Sequence, residues 1–241
     1  MSAARMIRGT VVSDRHCRSG RPVLVSWSTG KDSAFMLQAL RDDPAWEPVG
    51  LVTTVAAASK RVPLHGLPRP LLEEQARLLD LPLQVVEIPH PCPNREYERR
   101  LAPVWVAARA TGVGAVAYGD LFLADVRAYR ERQLAGTGLE PVFPLWGRDT
   151  AELASAIVAT GWRALVTCVD PVRLDRTLLG RWFDHDLLAD LPADVDPCAE
   201  NGEFHTVVVD GPLLSRPLPV RVAGGVDRDG FWQLELQAAA G

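Results

Sequence analysis

The segment Ser26-Trp27-Ser28-Thr29-Gly30-Lys31-Asp32-Ser33 packs hydroxyls, a glycine, an ammonium and a carboxylate into a short stretch. Apolar Val23-Leu24-Val25 precedes it and the amphipathic run Asp32–Arg41 follows, so it reads as a strand turning into a helix. The small residues Ser28, Thr29 and Gly30 let backbone N–H groups turn toward a ligand, and the helix start adds its positive end at the same point. Lys31 contributes a fixed positive charge, and Ser26, Ser28 and Ser33 contribute hydroxyl donors. The chemistry that suits this set is the cradling of a nucleotide pyrophosphate. A Walker A loop requires Gly where Val25 stands and Ser or Thr where Asp32 stands, so that competitor fails at two positions. A carboxylate at Asp32 is suited to holding Mg²⁺, directly or through water. The structural alternative, a serine-rich cap on an ordinary helix, does not explain the strand context or the order of residues.

Two further clusters carry chemistry. Strand candidate Val113–Tyr118 ends in Gly119-Asp120; if it is the fourth strand and neighbours the first, Gly119 and Asp120 face the Ser26–Ser33 loop, because ligands of open parallel sheets sit beyond the strand carboxyl ends where the winding reverses. Asp120 is then a second Mg²⁺ ligand beside Asp32. Asp125 and Arg127 open the next helix, where they meet Mg²⁺ and phosphate or simply cap the helix. Later, in Asp196-Pro197-Cys198-Ala199-Glu200-Asn201-Gly202-Glu203-Phe204-His205-Thr206, two carboxylates, an amide and an imidazole fall within the six residues from Glu200 to His205, just before a strand. Glu200, Glu203 and His205 are each general-base candidates when suitably tuned; a histidine at a strand start is also read as a satisfied hydrogen-bonding residue.

The elements that must position these residues follow from periodicity. Short β-branched runs alternate with amphipathic stretches: strands at Val23–Trp27, Val49–Val55, Leu83–Ile88 and Val113–Tyr118, helices at Asp32–Arg41, Arg69–Leu79, Arg95–Ala110 and Leu123–Leu134. Pro103 should kink or break the third helix. After a loop at Gly136–Trp146 the pattern predicts a helix at Thr150–Thr160, a strand at Ala164–Val169 and a helix at Arg176–Leu188. Antiparallel strands at Phe204–Val209, Leu218–Ala223 and Phe231–Leu236, the last two around the turn Asp227–Gly230, close the chain. The expected organisation is a loose tail over 1–21, in which Gly9–Val12 could add an edge strand, an ATP-binding domain over 22–140 and a smaller α+β domain over 141–241.

The whole-chain quantities bound the rest. A chain of 241 residues with 47% hydrophobic and 23% charged content is globular, without an apolar run long enough to cross a bilayer, and a cytoplasmic location is expected. The formal charge of −4 disfavours nucleic acid as a partner. The basic clusters Arg95–Arg100 and Arg127–Arg132 alternate with Glu and read as solvated helix faces. Cys17, Cys92, Cys168 and Cys198 form no CxxC pair, so neither a zinc ribbon nor a disulfide framework is expected. Trp27, Trp46, Trp105 and Trp162 fit core positions.

Ser28-Thr29-Gly30-Lys31-Asp32-Ser33 resembles the signature of the PP-loop ATP pyrophosphatase superfamily, close to Ser-Gly-Gly-Lys-Asp-Ser. Thr29 replaces its first Gly, a change that is strained wherever positive φ is needed. Together with Gly119-Asp120-Leu121-Phe122-Leu123-Ala124-Asp125, Pro144-Leu145-Trp146-Gly147-Arg148, Asp170-Pro171 and the Asp196–Thr206 segment, the chain resembles the diphthine–ammonia ligase family, also described as the ATP-binding domain 4 family, over nearly all of Pro22–Pro212. Ala199 stands where many relatives have Gly. The fragment Val62-Pro63-Leu64-His65-Gly66 is also similar and would line the adenine or substrate pocket.

The resemblance implies an α/β, Rossmann-like parallel sheet with helices on both faces, of the adenine nucleotide α-hydrolase type, joined to a smaller C-terminal α+β domain that completes the substrate site. It implies ATP and Mg²⁺ as cofactors, and a ligase that adenylates a carboxylate and amidates it with ammonia, releasing AMP and pyrophosphate. The founding activity acts on diphthine in elongation factor 2; the acceptor here is a small-molecule or protein carboxylate. Nucleotide contacts would come from Ser26, Ser28, Thr29, Gly30, Lys31, Asp32, Ser33 and Gly119. Catalysis falls to Lys31, Asp120, Glu200, Glu203 and His205, substrate contacts to His65, Asp125, Arg127, Asn201 and Gly202, and metal binding to Asp32 and Asp120. Two rival functions remain. A thiolase of the tRNA-modifying kind needs paired cysteines and a basic surface, for which Cys168 and Cys198 would have to meet in space. A nucleotide sensor of the universal-stress type has no evident need for the C-terminal carboxylates.

Overall fold

A computed structural model describes residues 20–239; the expected tail strand at Gly9–Val12 lies outside them. Five strands, β1 (Arg21–Ser26), β2 (Trp46–Ala56), β3 (Leu83–Ile88), β4 (Ala115–Ala117) and β5 (Glu140–Val142), form a parallel sheet in the order β3-β2-β1-β4-β5. The chain winds outward from β1 to β3 and then crosses to β4, so the winding reverses between β1 and β4. Helices α1 (Lys31–Asp42), α2 (Arg69–Leu78), α3 (Asn94–Ala110) and α4 (Ala124–Leu134) connect them. Helix α1 turns Ala34, Leu37 and Leu40 into the core with Val23 and Val25 of β1. The opposite face is covered by α3 and α4, with Leu101, Trp105 and Leu134 packed on Val52, Val116 and Tyr118. This is the expected α/β architecture.

A second, antiparallel sheet has the order β7-β6-β9-β8, from β6 (Arg163–Val169), β7 (Phe204–Asp210), β8 (Val220–Arg228) and β9 (Phe231–Ala238). Helices α5 (Thr150–Ala159) and α6 (His185–Asp190) accompany it. Asp149 starts α5 by accepting the Glu152 N–H at 2.9 Å. The β8–β9 turn places Asp229 and Gly230 at φ 55° and 82°, as a tight hairpin with right-handed strand twist requires.

Four local expectations need correction. Helix α3 runs unbroken through Pro103, which lies on the exposed face. The expected loop at Gly136–Trp146 contains β5, whose Pro141 is tolerated because β5 is an edge strand. The expected helix at Arg176–Leu188 is instead a 3₁₀ turn at Arg176–Leu178, an extended stretch and α6. Gly180 at φ 88° ends the first piece, Trp182 bridges to Leu165, and Asp184 caps α6 through the Leu187 N–H at 2.8 Å. Arg21, placed in the tail, begins β1. One buried cluster runs from Val23 and Leu37 through Leu153 to Val207 and Leu236.

Candidate active site

Strand β1 delivers the Ser26–Ser33 loop to the winding reversal, and the backbone there is strained. Thr29 has φ 78°, a conformation that is an outlier for a β-branched residue. The strained turn is braced by β7. Val208 N–H donates to the Thr29 carbonyl at 2.9 Å and Lys31 N–H to Thr206 Oγ1 at 3.1 Å. Behind the loop, buried Gln75 accepts from Trp27 Nε1 and donates to the Val208 carbonyl, both at 2.8 Å. His65 Nδ1 lies 2.7 Å from the Thr206 carbonyl, which can only accept, so the imidazole proton is on Nδ1. Gly30 packs so closely beneath this ring that a Cβ there would stand 2.7 Å from His65 Cε1 and 3.1 Å from the Thr206 carbonyl oxygen. Both sheets therefore shape the loop.

The loop opens on a cavity of about 310 Å³. Ser26, Ser28, Asp32, Ser33, His65, Gly119, Asp120, Glu200 and His205, all selected from the sequence, line it. The expected approach of Gly119 is present: a Cβ on it would meet the Asp32 carbonyl and the Ser33 nitrogen at 3.5 Å. The N-cap residue of helix α1, Gly30, offers no side chain; Thr206 takes the Lys31 N–H, and the Ser28 and Ser33 hydroxyls, 3.2 Å apart, line the cavity beside the helix start.

Three carboxylates converge here. Glu200 Oε1 accepts the Leu121 N–H at 2.7 Å, tying the Asp196–Thr206 segment to the end of β4. Burial, opposed by that hydrogen bond and reinforced by Asp32 and Asp120, pushes the Glu200 carboxyl up to about 7. Asp120 is raised by burial against the pull of Arg130, whose Nε is 3.7 Å away. Asp32 Oδ1 and Asp120 Oδ2 are buried without a hydrogen-bond partner. Two such oxygens beside an anion-favouring helix end fit a hard divalent cation that takes its remaining ligands from phosphate and water, as Mg²⁺ does. Among the described residues no group of three or more His, Cys, Asp or Glu side chains is placed to hold a metal ion, so protein ligands beyond these two carboxylates are not supplied.

The cavity also holds a neutral imidazole. Burial, with smaller contributions from His65 and Lys31, drives His205 well below the usual histidine range, and its Nε2 has no partner. The two rings are 5.1 Å apart. His65 is likewise lowered by burial.

Several selected residues lie elsewhere. Lys31, expected to direct its charge at phosphate, buries its ammonium against the Cys198 carbonyl at 2.5 Å and Asp32 Oδ2 at 2.9 Å, over the rings of Phe183 and Phe204. Although burial opposes it, the coulombic pull of Asp32 leaves this ammonium above its ordinary range. Thr29 is fully buried. Glu203 is buried away from the cavity, where Oε1 accepts from Asn201 Nδ2 at 3.1 Å. Asn201 is exposed, and Gly202 forms the positive-φ position of the turn. Asp125 is exposed on the first turn of α4. Arg127 pairs with Glu131 and stacks on Phe143 and Trp146.

The sequence reading missed Arg130, Tyr118 and Thr206 on the cavity wall. The alternation with Glu reads Arg130 as part of a solvated face, but it turns inward over Tyr118 to reach Asp120. The Arg95–Arg100 cluster does behave as a solvated face, with Arg99 and Arg100 on Glu96. Cys168 and Cys198 are both buried, and burial pushes each thiol up to about 12.

A parallel α/β sheet with a polar cavity at its winding reversal, completed by a C-terminal α+β part, defines the broad class. Comparison with known proteins narrows it. Residues 149–237 match the family described as the diphthamide synthase C-terminal domain. A 106-residue stretch is 29% identical to the diphthine–ammonia ligase of Schizosaccharomyces pombe, covering 42% of this chain and 18% of that protein. The chain thus spans less than a fifth of the relative's length in the matched region. Both findings support the resemblance to the diphthine–ammonia ligase family.

Proposed function

We propose that the chain is an ATP-dependent ligase that activates a carboxylate as its adenylate and converts it to an amide with ammonia. The observation that carries the reading is the convergence of Asp32, Asp120 and Glu200 beside the start of α1, in one cavity with a neutral His205. The α1 end, Ser28 and Ser33 would hold the β and γ phosphates. Asp32 and Asp120 would hold Mg²⁺, which supplies charge neutralisation for the departing pyrophosphate.

In the first step an acceptor carboxylate oxygen forms a bond to the α-phosphorus as the bond from that phosphorus to the bridging α–β oxygen breaks and pyrophosphate leaves. In the second, ammonia bonds to the acyl carbon, the acyl–oxygen bond breaks and AMP leaves with the electron pair. Ammonia enters solution mainly as ammonium, and the carboxylates attract it. Glu200, with its carboxyl raised to about 7, is suited to take a proton from the nitrogen near neutral pH. Neutral His205 presents its unpartnered Nε2 to the cavity, where it would orient the nitrogen. Glu203 is better suited to shaping the turn than to touching substrate. The high thiol values of Cys168 and Cys198 do not favour sulfur transfer.

The test is the nucleotide product formed by the purified chain from Mg-ATP and ammonium, with and without a small-molecule extract of its own cells. Extract-dependent AMP and pyrophosphate support the ligase reading, and fractionation then identifies the acceptor. ADP and phosphate, or tight ATP binding with no turnover under any supplement, sink it.

A further inference from the structure

A second cavity, of about 200 Å³, adjoins the first and shares Ser26, Ser28, His65, Tyr118 and Arg130 with it. It is lined by the ends of β1 and β2, the loop at Val62–His65, and residues of α3 and α4, with Val52, Val62, Pro63 and Leu101 supplying apolar walls. At its edges are three side chains that also line it and whose polar atoms are buried without partners: Trp105 Nε1, Tyr118 OH, and both Nε2 and Oε1 of Gln133. Buried polar groups are normally satisfied, and an amide orphaned at both ends inside a fold carries a penalty that ligand or water must relieve. Apolar walls with unpaired donors and acceptors at the edge describe a receptor for a flat polar heterocycle.

We propose that Gln133 is the residue that selects adenine at this site, an inference that rests on the ATP-binding reading above. A side-chain amide places a donor and an acceptor side by side, which matches the N6 amino group and N7 of adenine in a bidentate pair. Guanine presents two acceptors, O6 and N7, on the same edge, so the amide oxygen would face another acceptor. Gln133 lies near the end of α4, far in sequence from the Ser26–Ser33 loop, and the shared wall residues make the second cavity continuous with the phosphate cavity.

The experiment is calorimetric titration of the full chain with ATP, GTP and tripolyphosphate, each with Mg²⁺, for the native protein, Gln133→Leu and Gln133→Glu. The native chain should prefer ATP over GTP by about 10- to 100-fold. Both variants should lower ATP affinity by a similar factor and leave tripolyphosphate unchanged. The Glu variant, equal in size, keeps the test valid should the Leu variant misfold. Equal native affinity for ATP and GTP overturns the assignment. So does a matched loss of ATP and tripolyphosphate in the variants, which would make Gln133 a support for the loop. Failure of the native chain to bind either ATP or tripolyphosphate instead removes the ATP-binding reading itself, and this assignment with it.

Discussion

Glu200→Gln should stabilise the protein at alkaline pH while leaving its stability near pH 4 almost unchanged. The Glu200 carboxyl rises from 4.5 to about 7 in the folded chain, chiefly through burial and with the help of Asp32 and Asp120. A carboxyl with a raised folded value holds its proton more tightly in the native state. Its contribution is therefore fully present below about 4.5 and is lost as pH rises through about 7. At about 1.4 kcal/mol per pH unit, the rise corresponds to about 3 kcal/mol above pH 7, which partial solvent access reduces to about 2 kcal/mol. Gln keeps an oxygen to accept the Leu121 N–H but carries no charge, so it escapes this penalty. Urea titrations of both proteins at pH 4, 5, 6, 7 and 8 in the absence of divalent cations should show a difference that opens from near zero at pH 4 to about 2 kcal/mol at pH 8. A gap independent of pH, or a variant less stable than the native chain at pH 8, would refute the reasoning.

Other perturbations follow from the same geometry. Gln75→Leu strands the Trp27 indole N–H and the Val208 carbonyl in the core, and at about 1–3 kcal/mol for each orphan it should cost about 2–6 kcal/mol in urea unfolding. Gly30→Ala forces a methyl to 2.7 Å from His65 and should cost about 1–3 kcal/mol, with tripolyphosphate binding lost in titration calorimetry; unchanged binding would mean the loop is looser than drawn. Mg²⁺ should raise the melting temperature of the native chain at pH 8 by relieving repulsion among Asp32, Asp120 and Glu200, and Asp120→Asn should reduce that response in thermal-shift measurements.

The loop was legible because strand, small hydroxyl residues and helix follow one another without interruption, and the winding-reversal rule placed Gly119-Asp120 beside it. Contacts made across the fold were not legible. Gln75 reads as one polar position on an amphipathic helix, and nothing in its neighbours signals that it joins Trp27 to β7. The direction of Lys31 depends on the Phe183 and Phe204 rings and the Cys198 carbonyl, which lie more than 150 positions later in the sequence. Arg130 shares its charge pattern with exposed neighbours on α4, so only the packed helix separates the inward arginine from Arg127. Strand β5 escaped because it is three residues long and contains Pro141. In the expected helix Arg176–Leu188, apolar spacing outweighed the Gly180 signal.

The strain at Thr29 links the C-terminal part to the phosphate loop. A β-branched residue at φ 78° is sustained only where its surroundings over-determine it, at a cost of order 1–3 kcal/mol. Here the surroundings are β7: its Val208 N–H holds the Thr29 carbonyl, and its Thr206 hydroxyl holds the next turn at Lys31. Gln75 then fixes Val208 from behind, and His65 fixes Thr206 from the side. Glu200, His205 and Thr206 are close in sequence, so one segment carries the candidate proton acceptor, an orienting imidazole and the brace for the anion-binding turn. Movement of that segment would change the loop and the chemical groups together. The matched C-terminal region, residues 149–237, contains this whole segment. Its role in the proposed reaction thus includes holding the N-terminal loop in a conformation that Thr29 would not adopt unaided.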